Sequence, residues 1–253
     1  MAGSYQTSVF HRLLGTALDW VFPPKCAGCG KPGTSWCDAC QLRAQIIRGK
    51  VCPICGSPQE REAPCAACRQ EPPAYESLRS WALYENPVKQ ALLGLKFKHN
   101  LPVAQSLAVQ AAPILQELKW PVDIVAPIPI SMRRLRERGY NQAGLIAHPI
   151  ATALGLSYAP KALARWRDTH SQVGLTGDQR RENVRGVFRA DGARVRGRTI
   201  LLIDDIATTG STLSSAAEAL LAGGASKVYA FTIARALHWR HDLPAGAISA
   251  YHS

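Results

Sequence analysis

The sequence predicts an α/β fold, a parallel sheet flanked by helices, preceded by a small cysteine-rich module. Three observations predict it. From residue 78 onward short apolar runs alternate with stretches of helical spacing, the pattern of a parallel sheet with helices on both faces. All eight cysteines fall between Cys26 and Cys68, as four CxxC pairs. An apolar run, TILLID, ends in Asp204-Asp205 and passes directly into a turn of small and hydroxyl residues.

Residues 1–24 keep apolar positions at helical spacing (Phe10, Leu13, Leu14, Ala17, Leu18, Val21) and are closed by Pro23-Pro24, which predicts a short amphipathic helix. Residues 25–70 hold the cysteines among Gly, Pro and Lys, with too few large apolar residues to fold by core burial alone. Residues 69–77, with Pro72-Pro73, read as a linker, and residues 78–253 as the larger domain. There, 79–84 predicts a strand, and Asn86-Pro87 opens a helix to about 98. A second helix covers 102–118, a buried strand 122–130, and a helix 141–154 that Pro149 should kink. TILLID is a buried strand, 212–221 a helix stopped by Gly223-Gly224, and KVYAFTI at 227–233 the next strand.

The 253 residues suit one medium α/β domain plus a small module. Net charge is +12, and between Ser131 and Arg198 fourteen Lys/Arg face five Asp/Glu, so nine of the twelve excess charges lie there. Such a cluster suits an anionic partner: phosphate, pyrophosphate or nucleic acid. The apolar stretch near residue 13 is interrupted by Asp19, and no run of 18 apolar residues occurs, so a signal peptide and a membrane span are not expected. Clustered cysteines without a secretory leader point to a cytoplasmic chain with reduced thiols, and to metal rather than disulfides.

Two thiolates in a CxxC turn point at one metal, and a second pair completes a tetrahedron with Zn–S near 2.3 Å. Sequential pairing gives Cys26, Cys29, Cys37 and Cys40 as one set and Cys52, Cys55, Cys65 and Cys68 as the other; crossed pairing is also open. The module resembles a double zinc ribbon with one or two structural Zn²⁺. A redox CxxC and an iron–sulfur cluster are the competing readings.

After Asp204 and Asp205 the chain reads Ala207, Thr208, Thr209, Gly210, Ser211 and Thr212, and then a helix begins. Small residues and Gly210 let backbone N–H groups approach an anion, and the helix N-terminus adds unpaired donors and a favourable dipole. The two carboxylates can accept hydrogen bonds from vicinal ribose hydroxyls. The turn therefore suits a sugar 5-phosphate. It is neither a Walker loop nor GxGxxG.

The segment DDIATTGST, 204–212, resembles the signature of type I phosphoribosyltransferases that bind phosphoribosyl pyrophosphate (PRPP). APIP at 126–129, RRLRERGYNQ at 133–142, THSQ at 169–172 and RRENVRGVF at 180–188 narrow this. With the cysteine module, they resemble the ComF family, which includes competence proteins needed for DNA uptake. The resemblance implies a type I phosphoribosyltransferase fold. It implies that Asp204 and Asp205 are catalytic and hold the ribose hydroxyls, that Ala207–Thr212 bind the 5-phosphate, and that Mg²⁺ bridges pyrophosphate and ribose oxygens.

Two basic stretches flank this motif. Arg133, Arg134, Arg136 and Arg138 follow the strand at 122–130 and stand where open α/β sheets bind ligands. Arg133 and Arg138 are candidates for pyrophosphate, since Arg forks grip phosphate oxygens. Residues 165–189 lack periodicity and match the lid position of the family, with Arg165, Thr169, Gln172, Arg181 and Asn183 as lid candidates. His170 is a weaker candidate for a general base. The resulting expectation is a phosphoribosyltransferase acting on PRPP. The alternative is a single-stranded-DNA-binding competence protein, working beside a helicase partner, whose PRPP site is regulatory or vestigial. Base stacking there would fall to Trp36, Trp166 and Phe188.

Overall fold

A computed structural model gives the structure of the chain and describes residues 24–166, 186–237 and 248–249. In chain order the elements are α1 (Asp38–Arg43), β1 (Ile46–Ile47), α2 (Ala66–Gln70), β2 (Ser77–Leu83), α3 (Val88–Phe97), α4 (Pro102–Glu117) and β3 (Ile124–Pro127). Then follow α5 (Met132–Arg138), α6 (Gln142–Leu154), β4 (Ser157–Tyr158), β5 (Leu163–Arg165), β6 (Phe188–Ala190), α7 (Gly192–Val195), β7 (Thr199–Ala207), α8 (Ser211–Ala222), β8 (Lys227–Arg235) and β9 (Ile248–Ser249). The predicted helix at 1–24 lies outside the described residues but for its last.

The main sheet has the order β4-β3-β7-β8-β2-β1-β9. Its first five strands are parallel, and β1 and β9 add an antiparallel edge. The parallel part follows from composition. β7 and β8 are buried along most of their length, and unbroken apolar runs are what a sheet covered on both faces requires. β3 is shorter than the predicted 122–130, because Pro129 has no N–H to continue the ladder. Pro113 and Pro149 lie inside α4 and α6, and both helices continue through them.

The fold is thus α/β, a mostly parallel sheet with an N-terminal cysteine module. The module does not stand apart. β1 comes from between the two cysteine groups and pairs Ile46 with Ala82 of β2. Cys26, Trp36 and Cys40 sit in the same buried cluster as Trp81, Val88 and Leu92, and the rings of Trp36 and Trp81 meet edge to face at 6.3 Å. The module is indeed short of large apolar residues, and it borrows the core of the sheet. The predicted linker is packed as well: the Glu76 amide bonds the Val228 carbonyl, the Ala74 amide bonds Ser214 Oγ, and Tyr75 is buried.

Candidate functional site

The cysteines form two sets in sequential pairing. The ligand sulfurs of Cys26, Cys29, Cys37 and Cys40 lie within 4.8 Å of one another, as do those of Cys52, Cys55, Cys65 and Cys68. Sulfur separations of 3.6 Å (Cys26–Cys40) and 3.7 Å (Cys29–Cys37, Cys55–Cys65) exclude disulfides. They match the edge of a tetrahedron built on a metal–sulfur bond of about 2.3 Å. Backbone amides point at the sulfurs, Cys37 N–H at Cys26 Sγ and Cys65 N–H at Cys52 Sγ, as they do around a bound thiolate. Both sets therefore fit a structural zinc ion. With four thiolates apiece they leave no coordination position for chemistry.

Arg133, Arg138, Arg165, Asp204, Asp205, Thr208 and Thr212 line a single cleft of about 430 Å³ at the C-terminal edge of the parallel strands. β7 brings Asp204 and Asp205 to its mouth. Arg133 and Arg138 lie on a short helix, α5, because Ser131 caps it through the Arg134 amide and Gly139 closes it in the left-handed conformation. Asn141 fixes the next turn. Its side-chain amide donates to the Ile128 carbonyl, and its Oδ1 caps α6 through the Ala143 amide. Arg134 also lines the cleft, whereas Arg136 does not. Arg165, on β5, stacks over Phe188 at 5.6 Å. Thr169, His170, Gln172, Arg181 and Asn183 lie outside the described residues.

Burial and the adjacent Asp205 carboxylate push Asp204 up to about 8. Burial lowers the Arg138 guanidinium from its usual range, with Arg134 adding repulsion, and Arg138 lies 5.2 Å over the Phe97 ring. The ammonium of Lys96 lies 2.6 Å from Oδ2 of Asp205. Sequence reasoning missed Lys96. The signal was there in LLGLKFKHN, where a lysine interrupts the apolar end of a helix whose Leu92 and Leu95 are fully buried.

The turn after β7 has a second face. Thr208 is shared with a second cleft of about 310 Å³, and Thr209, Gly210 and Ser211 line that one instead, together with Cys55, Cys65, Cys68, Tyr75 and Arg235. Ala207 is buried beneath the turn. Arg235, the last residue of β8, donates to Ser57 Oγ at 2.6 Å and to the Cys55 carbonyl, so the second cysteine set is tied to the strand beside the turn. Arg235 and Tyr75 were not read from the sequence either. Of the aromatic candidates for base stacking, Trp36 and Phe188 are buried in the core and unavailable; only Trp166 is exposed, with Arg189 stacked 5.8 Å over it.

Comparison with known proteins matches both parts of the chain. The double zinc ribbon domain model matches residues 17–69, and the phosphoribosyl transferase domain model matches residues 138–245. The DNA utilization protein YhgH of Salmonella typhimurium is 33% identical over 210 residues, covering 78% of this chain and 90% of that protein. The chain belongs to the ComF/YhgH family. Competence protein F of Haemophilus influenzae is 29% identical over 209 residues, covering 79% of this chain and 90% of that protein. Competence protein ComFC of Bacillus subtilis is 27% identical over 221 residues, covering 81% and 86%. Among the described residues of this ComF/YhgH chain, no helix is long and apolar enough to cross a membrane.

Proposed function

We propose that this ComF/YhgH chain binds PRPP in the cleft of Asp204 and Asp205 and transfers its phosphoribosyl group to a nucleophile, releasing pyrophosphate. One observation carries the reading. Two carboxylates at the end of a buried strand meet a hydroxyl-rich turn at the N-terminus of the twelve-residue α8, across from three arginines. Each part has a matching part in PRPP. The turn suits the 5-phosphate, the carboxylates suit the ribose hydroxyls, and Arg133, Arg134 and Arg138 suit the pyrophosphate.

The chemistry asked of the chain is modest. The nucleophile forms a bond to C1 of the ribose while the bond from C1 to the pyrophosphate oxygen breaks and its electron pair leaves with pyrophosphate. Arginines aimed at that oxygen stabilise the developing charge in a partly dry cleft. Arg165 stands where the lid stretch begins, on the β5–β6 ribbon, and closure from there would exclude water. Mg²⁺ finds a poor anchor in the protein, since Lys96 is already paired with Asp205.

The test is pyrophosphate release from PRPP with a panel of amines and nucleobases. The reading expects release with at least one acceptor, lost in Asp204→Asn/Asp205→Asn. Absence of release with every acceptor, with PRPP still bound, would leave the site regulatory. A second reading, single-stranded DNA binding beside a helicase partner, is favoured by the exposed Trp166, next in sequence to Arg165 of the cleft, and by the competence and DNA-utilization names of the relatives. Affinity for oligonucleotides that falls steeply with salt would support it.

A further inference from the structure

Lys96 is not a free surface lysine that happens to meet a carboxylate. It sits one residue from the end of α3, and that end is fixed from several sides. Leu95 is fully buried, and its carbonyl accepts a hydrogen bond from the Tyr140 hydroxyl. The Arg138 guanidinium covers Phe97, and the Lys98 amide closes the helix on the Gly94 carbonyl. The ammonium is thereby delivered to Asp205 Oδ2 with both side chains largely out of water, at 22% and 11% exposure. An ion pair in such a place is stronger and less screened than one at the surface.

The location matters more than the strength. A divalent cation needs unoccupied hard oxygens, and Oδ2 of Asp205 is buried and already matched by a cation that belongs to the chain. The same cleft holds Arg133, Arg134 and Arg138. A ligand entering it with a ribose and several phosphates therefore meets an ammonium within hydrogen-bond reach of the carboxylate its hydroxyls would contact. An ammonium is a compact point charge with three donors on a flexible stem. It can stay paired with Asp205 and turn a donor to a ligand oxygen without moving the helix.

We propose, resting on the PRPP reading above, that Lys96 is a built-in cation of this site, so that PRPP binds without a divalent metal. It acts as a binding residue that bridges Asp205 and the phosphoribosyl ligand.

Calorimetric titration with PRPP tests this on the full chain, in magnesium-containing buffer and in a magnesium-free buffer whose contaminating divalent ions have been stripped beforehand, so that the zinc stays in place. Wild-type affinity is expected to agree within about threefold between the two buffers. Lys96→Met should lose about tenfold or more in the metal-free buffer and recover part of it with magnesium, while Lys96→Arg should keep most of the wild-type behaviour. A wild type that binds only with magnesium overturns the inference and leaves the PRPP reading intact. So does a Lys96→Met that binds like wild type in the metal-free buffer. Binding in neither buffer overturns the PRPP reading itself. Thermal melting of each variant separates lost binding from lost folding, and if Lys96→Met does not fold, the two wild-type titrations still decide.

Discussion

Tyr75 leaves no room for a side chain at Gly210: a Cβ there would come within 2.7 Å of the Tyr75 hydroxyl oxygen, and the backbone at Gly210 has φ +82°. The residue that opens the phosphate-type turn is thus shaped from outside the turn, by a tyrosine from the segment that follows the second cysteine set. Two costs coincide at one position, a left-handed backbone and a close contact. Gly210→Ala is expected to destabilise the fold by about 1–3 kcal/mol, read as a lowered urea midpoint. Adding Tyr75→Phe should return the share owed to the hydroxyl and leave the share owed to φ.

Arg235 makes the second link between the cysteines and the sheet. It is buried, and its guanidinium bonds the Cys55 carbonyl and Ser57 Oγ. Arg235→Met should destabilise the protein by about 1.5–3 kcal/mol, the usual worth of hydrogen bonds to a charged group. Chemical denaturation measures it, and an unchanged midpoint would mean that the link carries no stability.

Cys65→Ser should lower bound zinc by about one equivalent, because the second set then has three thiolates. Since that set shares a cleft with Thr208–Ser211, the variant should also bind PRPP more weakly. Disrupting the first set with Cys29→Ser should act on the core beside Trp36 and Trp81 and leave the turn nearly unchanged. Metal analysis and titration of the two variants distinguish the roles.

Asp204 gives a pH signature. Its carboxyl is raised to about 8 in the fold, by burial first and by Asp205 second. The unfolded chain releases that proton near 4. Between these values the folded state holds the extra proton, so the group makes stability fall as pH rises from about 4 to about 8, and the loss is complete above that. Asp204→Asn keeps an oxygen for the Asp205 amide, which bonds Asp204 Oδ1 at 2.8 Å. It should melt higher than wild type at pH 8, with the gap narrowing toward pH 5. A gap that widens on acidification contradicts the assignment.

The central strands were legible because each is a nearly unbroken apolar run, as in TILLID and KVYAFTI, and the helices because their spacing is regular. The cysteine sets were legible because metal geometry forces CxxC spacing. β1 was not: two isoleucines between Gln45 and Arg48 carry no period, and the pairing of Ile46 with Ala82 is decided by the sheet edge they meet. The arginine helix α5 escaped because seven residues, five of them charged, show no apolar stripe. Lys96, Tyr75 and Arg235 join the site only through tertiary contact from three different segments, and no local pattern announces such a meeting.

Calorimetric titration of the zinc-loaded protein with PRPP, beside Asp204→Asn/Asp205→Asn, tests the central claim most directly. The account predicts saturable binding of PRPP by the wild type, lost in the double variant with its zinc content and melting cooperativity retained. No binding by the wild type, or equal binding by both proteins, would contradict it.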